Sequence, residues 1–113
     1  MSAPPPPGDF LPLHPLTFRV LMSVTEGPSF GTEIVQRIET AEAGRKLYPA
    51  NLYRRIRDLL EDGLLEECEG PADADPRRTY VRLTRLGRRV ARAEARRLDA
   101  LVADARSVDL LDA

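Results

Sequence analysis

The segment that most limits how this chain can fold is residues 49–62, PANLYRRIRDLLED, together with the Gly63-Leu64-Leu65 that follows. Leu52, Ile56, Leu59 and Leu60 recur at i, i+4, i+7 and i+8, one stripe of a 3.6-residue period. Such a stripe predicts a helix with one buried side. Tyr53, Arg54 and Arg57 project away from it. Asn51 is expected to cap the first turn by accepting a backbone N–H, and Gly63 to take the left-handed position after the last. Between residues 45 and 57 stand five basic residues and no acidic one, so the outer face is cationic. Leucines on one side with arginines and a tyrosine on the other are the build of a helix that enters a DNA groove.

With 113 residues the chain can bury one small core, not two. No apolar run approaches the ~20 residues that span a bilayer. The start, MSAPPPPGDF, lacks the basic and apolar regions of a secretion signal. The single cysteine, Cys68, excludes an internal disulfide, and a cytoplasmic location is expected. A net charge of −1 argues against a protein that coats nucleic acid indiscriminately. The charge is segregated, however. Residues 58–75 hold eight acids and no base, whereas residues 77–97 hold nine arginines and one acid, Glu94. A phosphate backbone responds to the local field rather than to the total, so near-neutrality with basic patches fits a selective binder. The acidic stretch reads as a solvated face.

Residues 1–12 are proline-rich and predict a flexible or polyproline arm that forms no helix. Its four consecutive prolines, with no flanking base, read as an inert tail. A helix is expected over 15–25, where Phe18, Leu21, Met22 and Thr25 share a face, and Gly27-Pro28 ends it. A second is expected over 31–43, with Ile34, Val35 and Ile38 as its stripe and Glu33 in its first turn. A short linker through Lys46 then delivers the cationic helix, the spacing that a helix-turn-helix requires.

After Gly63 the period falls to two. Residues 65–69 and 79–84 read as strands joined by the loop GPADADP, a two-stranded wing. Thr84 is placed as the cap of a long helix over 85–108. Its apolar stripe is Leu98, Leu101, Val102, Ala105 and Val108, continued toward the start by Val90, Ala91 and Ala95. That helix exceeds what so small a core needs, and an unpaired stripe of this kind pairs with its copy in a second subunit.

In this order the segments resemble the PadR-like family of winged-helix transcriptional regulators, in particular a short subgroup ending in a single dimerisation helix. The resemblance spans roughly residues 13–106. It is carried by Pro49-Ala50-Asn51-Leu52-Tyr53-Arg54-Arg55-Ile56 with Glu61-Asp62-Gly63-Leu64-Leu65-Glu66, by residues 75–84 (DPRRTYVRLT) with Gly87, and by residues 26–34 (EGPSFGTEI). Thr32 stands where the family usually has an aromatic residue, Phe30 where histidine is frequent, and Asn51 where threonine is usual. The resemblance implies a mainly α fold with a small β-hairpin. Residues 1–12 would be an arm, 13–84 a winged helix-turn-helix, and 85–113 the dimerisation helix and tail. It also implies a homodimeric repressor on a palindromic operator of double-stranded DNA, with control of its own or a neighbouring gene.

On that reading Tyr53 meets the DNA backbone or a base edge, while Arg54 and Arg57 contact guanine or phosphate. Asn51 bonds phosphate as well as capping, and Lys46 flanks the duplex. Arg77 and Arg78, at the return of the wing, address the minor groove or its phosphates, or else neutralise Asp73 and Asp75. Arg55 is expected at phosphate or in solvent. Tyr80 is read as structural, and the remaining arginines of the last helix as a solvated, salt-bridged face. A small-molecule effector has its place between the last helix and the body, although three phenylalanines and no tryptophan furnish no aromatic cage. His14 has no ligand partners at metal spacing and reads as surface decoration, Cys68 as an inert thiol, and no cofactor is expected. No Ser/His/Asp set or phosphate loop suggests an enzyme. The competing class is a winged helix that docks proteins through the acidic stretch and the wing and binds no DNA. The acid-free run over 45–57 argues against it.

Overall fold

The computed structural model describes residues 3–112. Residues 1 and 2 of the expected arm and residue 113 of the expected tail lie outside the described residues. The chain folds as α1 (Pro15–Ser23), β1 (Ser29–Phe30), α2 (Gly31–Ala41), α3 (Pro49–Glu61), β2 (Leu65–Cys68), β3 (Tyr80–Leu83) and α4 (Arg85–Ser107). Three helices, a wing and a long closing helix are the expected order.

The helix ends follow from local chemistry. Proline at the first position of α1 and of α3 forfeits an N–H that would have had no partner there anyway. Because Pro49 starts α3, the capping position falls on Tyr48, and Asn51 lies inside the first turn instead of capping it. At the other end Gly63 adopts φ +78. Its N–H bonds to the Leu60 carbonyl at 3.2 Å, and the Leu64 N–H bonds to the Leu59 carbonyl at 2.9 Å. That pair of bonds, with Leu59 and Leu64 both buried, is a Schellman stop. His14 is more than surface decoration, because its Nδ1 accepts the Leu16 N–H at 3.0 Å and caps α1. Burial, with Arg55 and Arg45 nearby, holds its imidazole below the usual value.

The wing is larger than the expected hairpin. β3 pairs antiparallel with β2 on one side and with β1 on the other, Ser29 opposite Val81 and Phe30 opposite Tyr80. The sheet therefore has three strands. Leu16, Val20 and Leu21 of α1, Ile34, Val35 and Ile38 of α2, Leu52, Ile56 and Leu59 of α3, and Val90 and Ala91 of α4 close one core with Leu64, Leu65 and Val81.

Two further differences concern the chain ends. The proline-rich segment is not the free arm expected of it: Pro7–Phe10 forms a 3-10 turn packed on α4, and Phe10, Leu11 and Leu13 lie against the core. On α4 the side chain buried after Ala91 is Glu94, 1% exposed, while Ala95 faces solvent. Glu94 Oε2 accepts the Leu13 N–H at 2.9 Å, and Arg97 Nη2 donates to the same oxygen at 3.1 Å. The Arg97 hydrogen bond, with help from Leu13, keeps this carboxyl below the usual range against the opposing effect of burial.

Candidate nucleic-acid interface

Burying Leu52, Ile56 and Leu59 fixes the rotation of α3, and that rotation sets what it presents outward. Asn51, Tyr53, Arg54 and Arg57 are exposed, with Lys46 exposed in the loop before the helix. Neither Arg54, Arg57 nor Lys46 forms an ion pair among the described residues. Lys46 Nζ lies 5.8 Å from the centre of the Tyr48 ring.

Tyr53 is neither free nor buried. At 39% exposure its ring rests on Gly31, the first residue of α2, where an added Cβ would stand 2.7 Å from Tyr53 Cε1. Gly31 is thus the seat of this side chain. A groove of about 340 Å³ continues from it between α3 and the wing, lined by Gly31, Tyr53, Ile56, Arg57, Leu60, Thr79 and Val81.

The two wing arginines have different settings. Arg77 grips Asp75 with two side-chain bonds, Nε to Oδ1 at 3.2 Å and Nη2 to Oδ2 at 3.0 Å, and its backbone N–H adds a third at 2.9 Å. Those bonds, side chain first, hold the Asp75 carboxyl below its ordinary value. Arg78 lies over the Phe30 ring, its guanidinium carbon 4.2 Å from the centroid. Phe30 in turn meets Tyr80 edge-on at 5.3 Å, so Tyr80 is structural, as its sequence setting indicates. Neither Phe30 nor Gly31 carries a charge or a period that would have flagged it as part of this surface.

Arg55 departs from its expected role at phosphate. It is half-buried and donates from Nη1 to Thr17 Oγ1 at 3.2 Å, tying α3 to α1, while its Nε has no partner among the described residues. Burial, then Arg54, lowers the affinity of this guanidinium for its proton. The geometry therefore presents Tyr53, Arg54 and Arg57 on the outer side of α3, places Asn51 with Lys46 on the flank of the helix nearer α1, sets Arg77 and Arg78 on the wing beside Arg57, and withdraws Arg55. Among the described residues no cluster of three or more His, Cys, Asp or Glu side chains is placed to hold a metal, and no helix is long and apolar enough to cross a membrane.

Residues 20–93 match the transcriptional regulator PadR-like family. The chain belongs to that family. Solved structures agree in fold. A transcriptional regulator from Clostridium thermocellum superposes with a TM-score of 0.69 at 22% identity, covering 85% of this chain and 90% of that one. A PadR family transcription regulator from Clostridium difficile R20291 gives 0.69 at 14% identity, covering 82% and 96%. RosR of H. salinarum gives 0.62 at 21% identity, covering 88% and 99%. Comparison with curated proteins found no match. The PadR-like chain is a transcriptional regulator with the winged-helix fold of these structures.

Proposed function

We propose that this PadR-like regulator is a homodimeric repressor that binds a palindromic operator, with α3 in the major groove and the wing on the flanking minor groove or phosphates. One observation carries the reading: Arg54 and Arg57 are exposed beside Tyr53 on the outer side of a helix whose inner side is core, and they, like Lys46 in the loop before it, have no ion-pair partner among the described residues. Unpaired arginines beside a tyrosine suit phosphate and base edges, whereas a protein-docking winged helix would leave that charge unmatched. Arg77 and Arg78 serve the wing, and Arg77 exchanges Asp75 for phosphate on binding.

Dimerisation falls to the far half of α4. Leu98 and Ala105 are half-exposed there, and Leu101, Val102 and Val108 stand at 51%, 36% and 64% exposure. A second copy of the stripe buries them. For a small-molecule effector the place is the cavity of about 270 Å³ between α1 and α4, lined by Leu13, Pro15, Phe18, Met22, Glu94, Arg97 and Leu98 among others. The protein works in the cytoplasm. Hydroxyl-radical footprinting on duplexes selected from a random pool tests the arrangement. Two protected patches centred about one helical turn apart are expected; one patch, or no enrichment from the pool, overturns it.

A further inference from the structure

We infer that the outer face of the first half of α4 is a second surface for duplex DNA, separate from α3. Arg85, Arg89, Arg92 and Arg96 follow at i, i+4, i+7 and i+11, one straight row on the helix. Val90 and Glu94, both buried, mark the opposite side. All four arginines are exposed, and none pairs with an acid among the described residues. Arg88 is left out of the row because its Nη2 donates to the Thr25 carbonyl at 3.2 Å.

A row like this works against the helix that carries it. Like charges three or four residues apart destabilise a helix by about 0.2–0.5 kcal/mol per pair, and the row contains three such neighbours in succession. A polyanion relieves that repulsion. Protein interfaces carry an apolar core with aromatic or aliphatic anchors, whereas this row is flanked by Ala93, Ala95 and Arg88, with exposed Asp99 one turn beyond Arg96. Interfaces with DNA are instead polar and strongly positive. Eleven residues of helix rise make the row about 16 Å long, and a duplex offers a phosphate charge about every 1.7 Å along its axis. Duplex DNA matches both the sign and the linear layout.

The row does not share a duplex with α3. α1 packs against both helices: Arg55 of α3 reaches Thr17, while Phe18 lines a cavity with Glu94 and Leu98 of α4. α3 and α4 therefore meet α1 on different sides, which gives the row a duplex of its own. The apolar stripe reserved for a second copy lies on the inner side of α4, so a dimer leaves the arginines open. A regulator with two such faces holds two DNA segments at once.

The test is a capture assay. Wild-type protein is bound to an immobilised duplex, a fluorescent second duplex is added, and retention of protein and of the second duplex is read across a salt series. Wild type is expected to hold both. The Arg89→Gln/Arg92→Gln variant should stay on the first duplex but lose the second about tenfold or more, with a salt slope for the second lower by about 2. Its melting temperature should not fall, since two repelling charges are gone. Protein held on the first duplex with no second captured overturns this inference and leaves the role of α3 standing. Protein held on neither overturns both. Release of the second duplex by polyglutamate more readily than by unlabelled duplex overturns the choice of DNA in favour of an acidic protein.

Discussion

Replacing Gly87 by alanine adds one methyl group where, of the chain's described glycines, the surrounding backbone comes closest. An ideal Cβ there would lie 2.0 Å from the Leu64 carbonyl oxygen and 2.9 Å from its carbon, where 3.4 Å begins ordinary contact. Backbone must therefore move by more than 1 Å, because both neighbours are main chain. That displacement pulls on two hydrogen bonds that seat α4 at the exit of α3. The Thr84 N–H donates to the Leu64 carbonyl at 3.1 Å, and Thr84 Oγ1 donates to the Gly63 carbonyl at 2.6 Å. Overpacking costs about 2 kcal/mol, and two weakened hydrogen bonds about 1 kcal/mol each. Alanine's better helix propensity returns about 1 kcal/mol. The net loss is about 3 kcal/mol, or a fall in Tm of roughly 12 °C for a domain of this size. Thermal unfolding followed by far-UV circular dichroism reads it directly. Gly8→Ala, where nothing among the described residues lies within 4 Å, is the matched control and should not melt lower. A Gly87→Ala protein as stable as wild type would show that the clash with Leu64 costs no more than the helix propensity returns.

Gly31→Ala should shift the Tyr53 ring, lower operator affinity in an anisotropy titration, and change Tm by less than about 1 kcal/mol equivalent, because a half-exposed ring yields more easily than backbone. Glu94→Gln should lose about 2 kcal/mol at neutral pH by urea unfolding, as the charge on hydrogen bonds to Arg97 and Leu13 disappears. The carboxyl of Glu94 is depressed in the folded state, so its contribution is complete above the ordinary glutamate pKa and lost as pH falls through the lower folded value. The gap between wild type and Glu94→Gln should accordingly close in acid. Leu101→Glu should turn a dimer into a monomer in sedimentation velocity while leaving the fold intact, since Leu101 is 51% exposed in the single chain.

Much of this architecture is legible in the residues because it rests on local periodicity. The α3 stripe, the Gly63 stop and the Thr84 cap are decided within one or two turns of chain, and each sits where its chemistry indicates. What escapes depends on distant partners. β1 is two residues long, too short to show a period, and exists only because β3 offers it an edge. Phe10 and Leu11 are hidden by the prolines around them, although they dock as ordinary apolar side chains. Glu94 has one visible signal, as the single acid among nine arginines in residues 77–97, with Arg97 three positions on. Pro49 likewise indicates a helix start two residues before Asn51, a signal outweighed by the better capping chemistry of asparagine. Within the interface, periodicity sets Tyr53, Arg54 and Arg57 facing out. It does not separate Arg55, which tertiary contact draws to Thr17, or show that Arg77 and Arg78 rest on Asp75 and Phe30.

Fluorescence anisotropy on the duplex upstream of the chain's own gene, across a salt series, tests whether α3 reads DNA. Wild type and Tyr53→Ala/Arg54→Ala are compared against a random duplex of equal length. Tight, salt-sensitive preference for the upstream duplex, lost in the variant together with about one unit of salt slope, is the predicted result. Equal weak affinity for both duplexes, unchanged by the two substitutions, would contradict it.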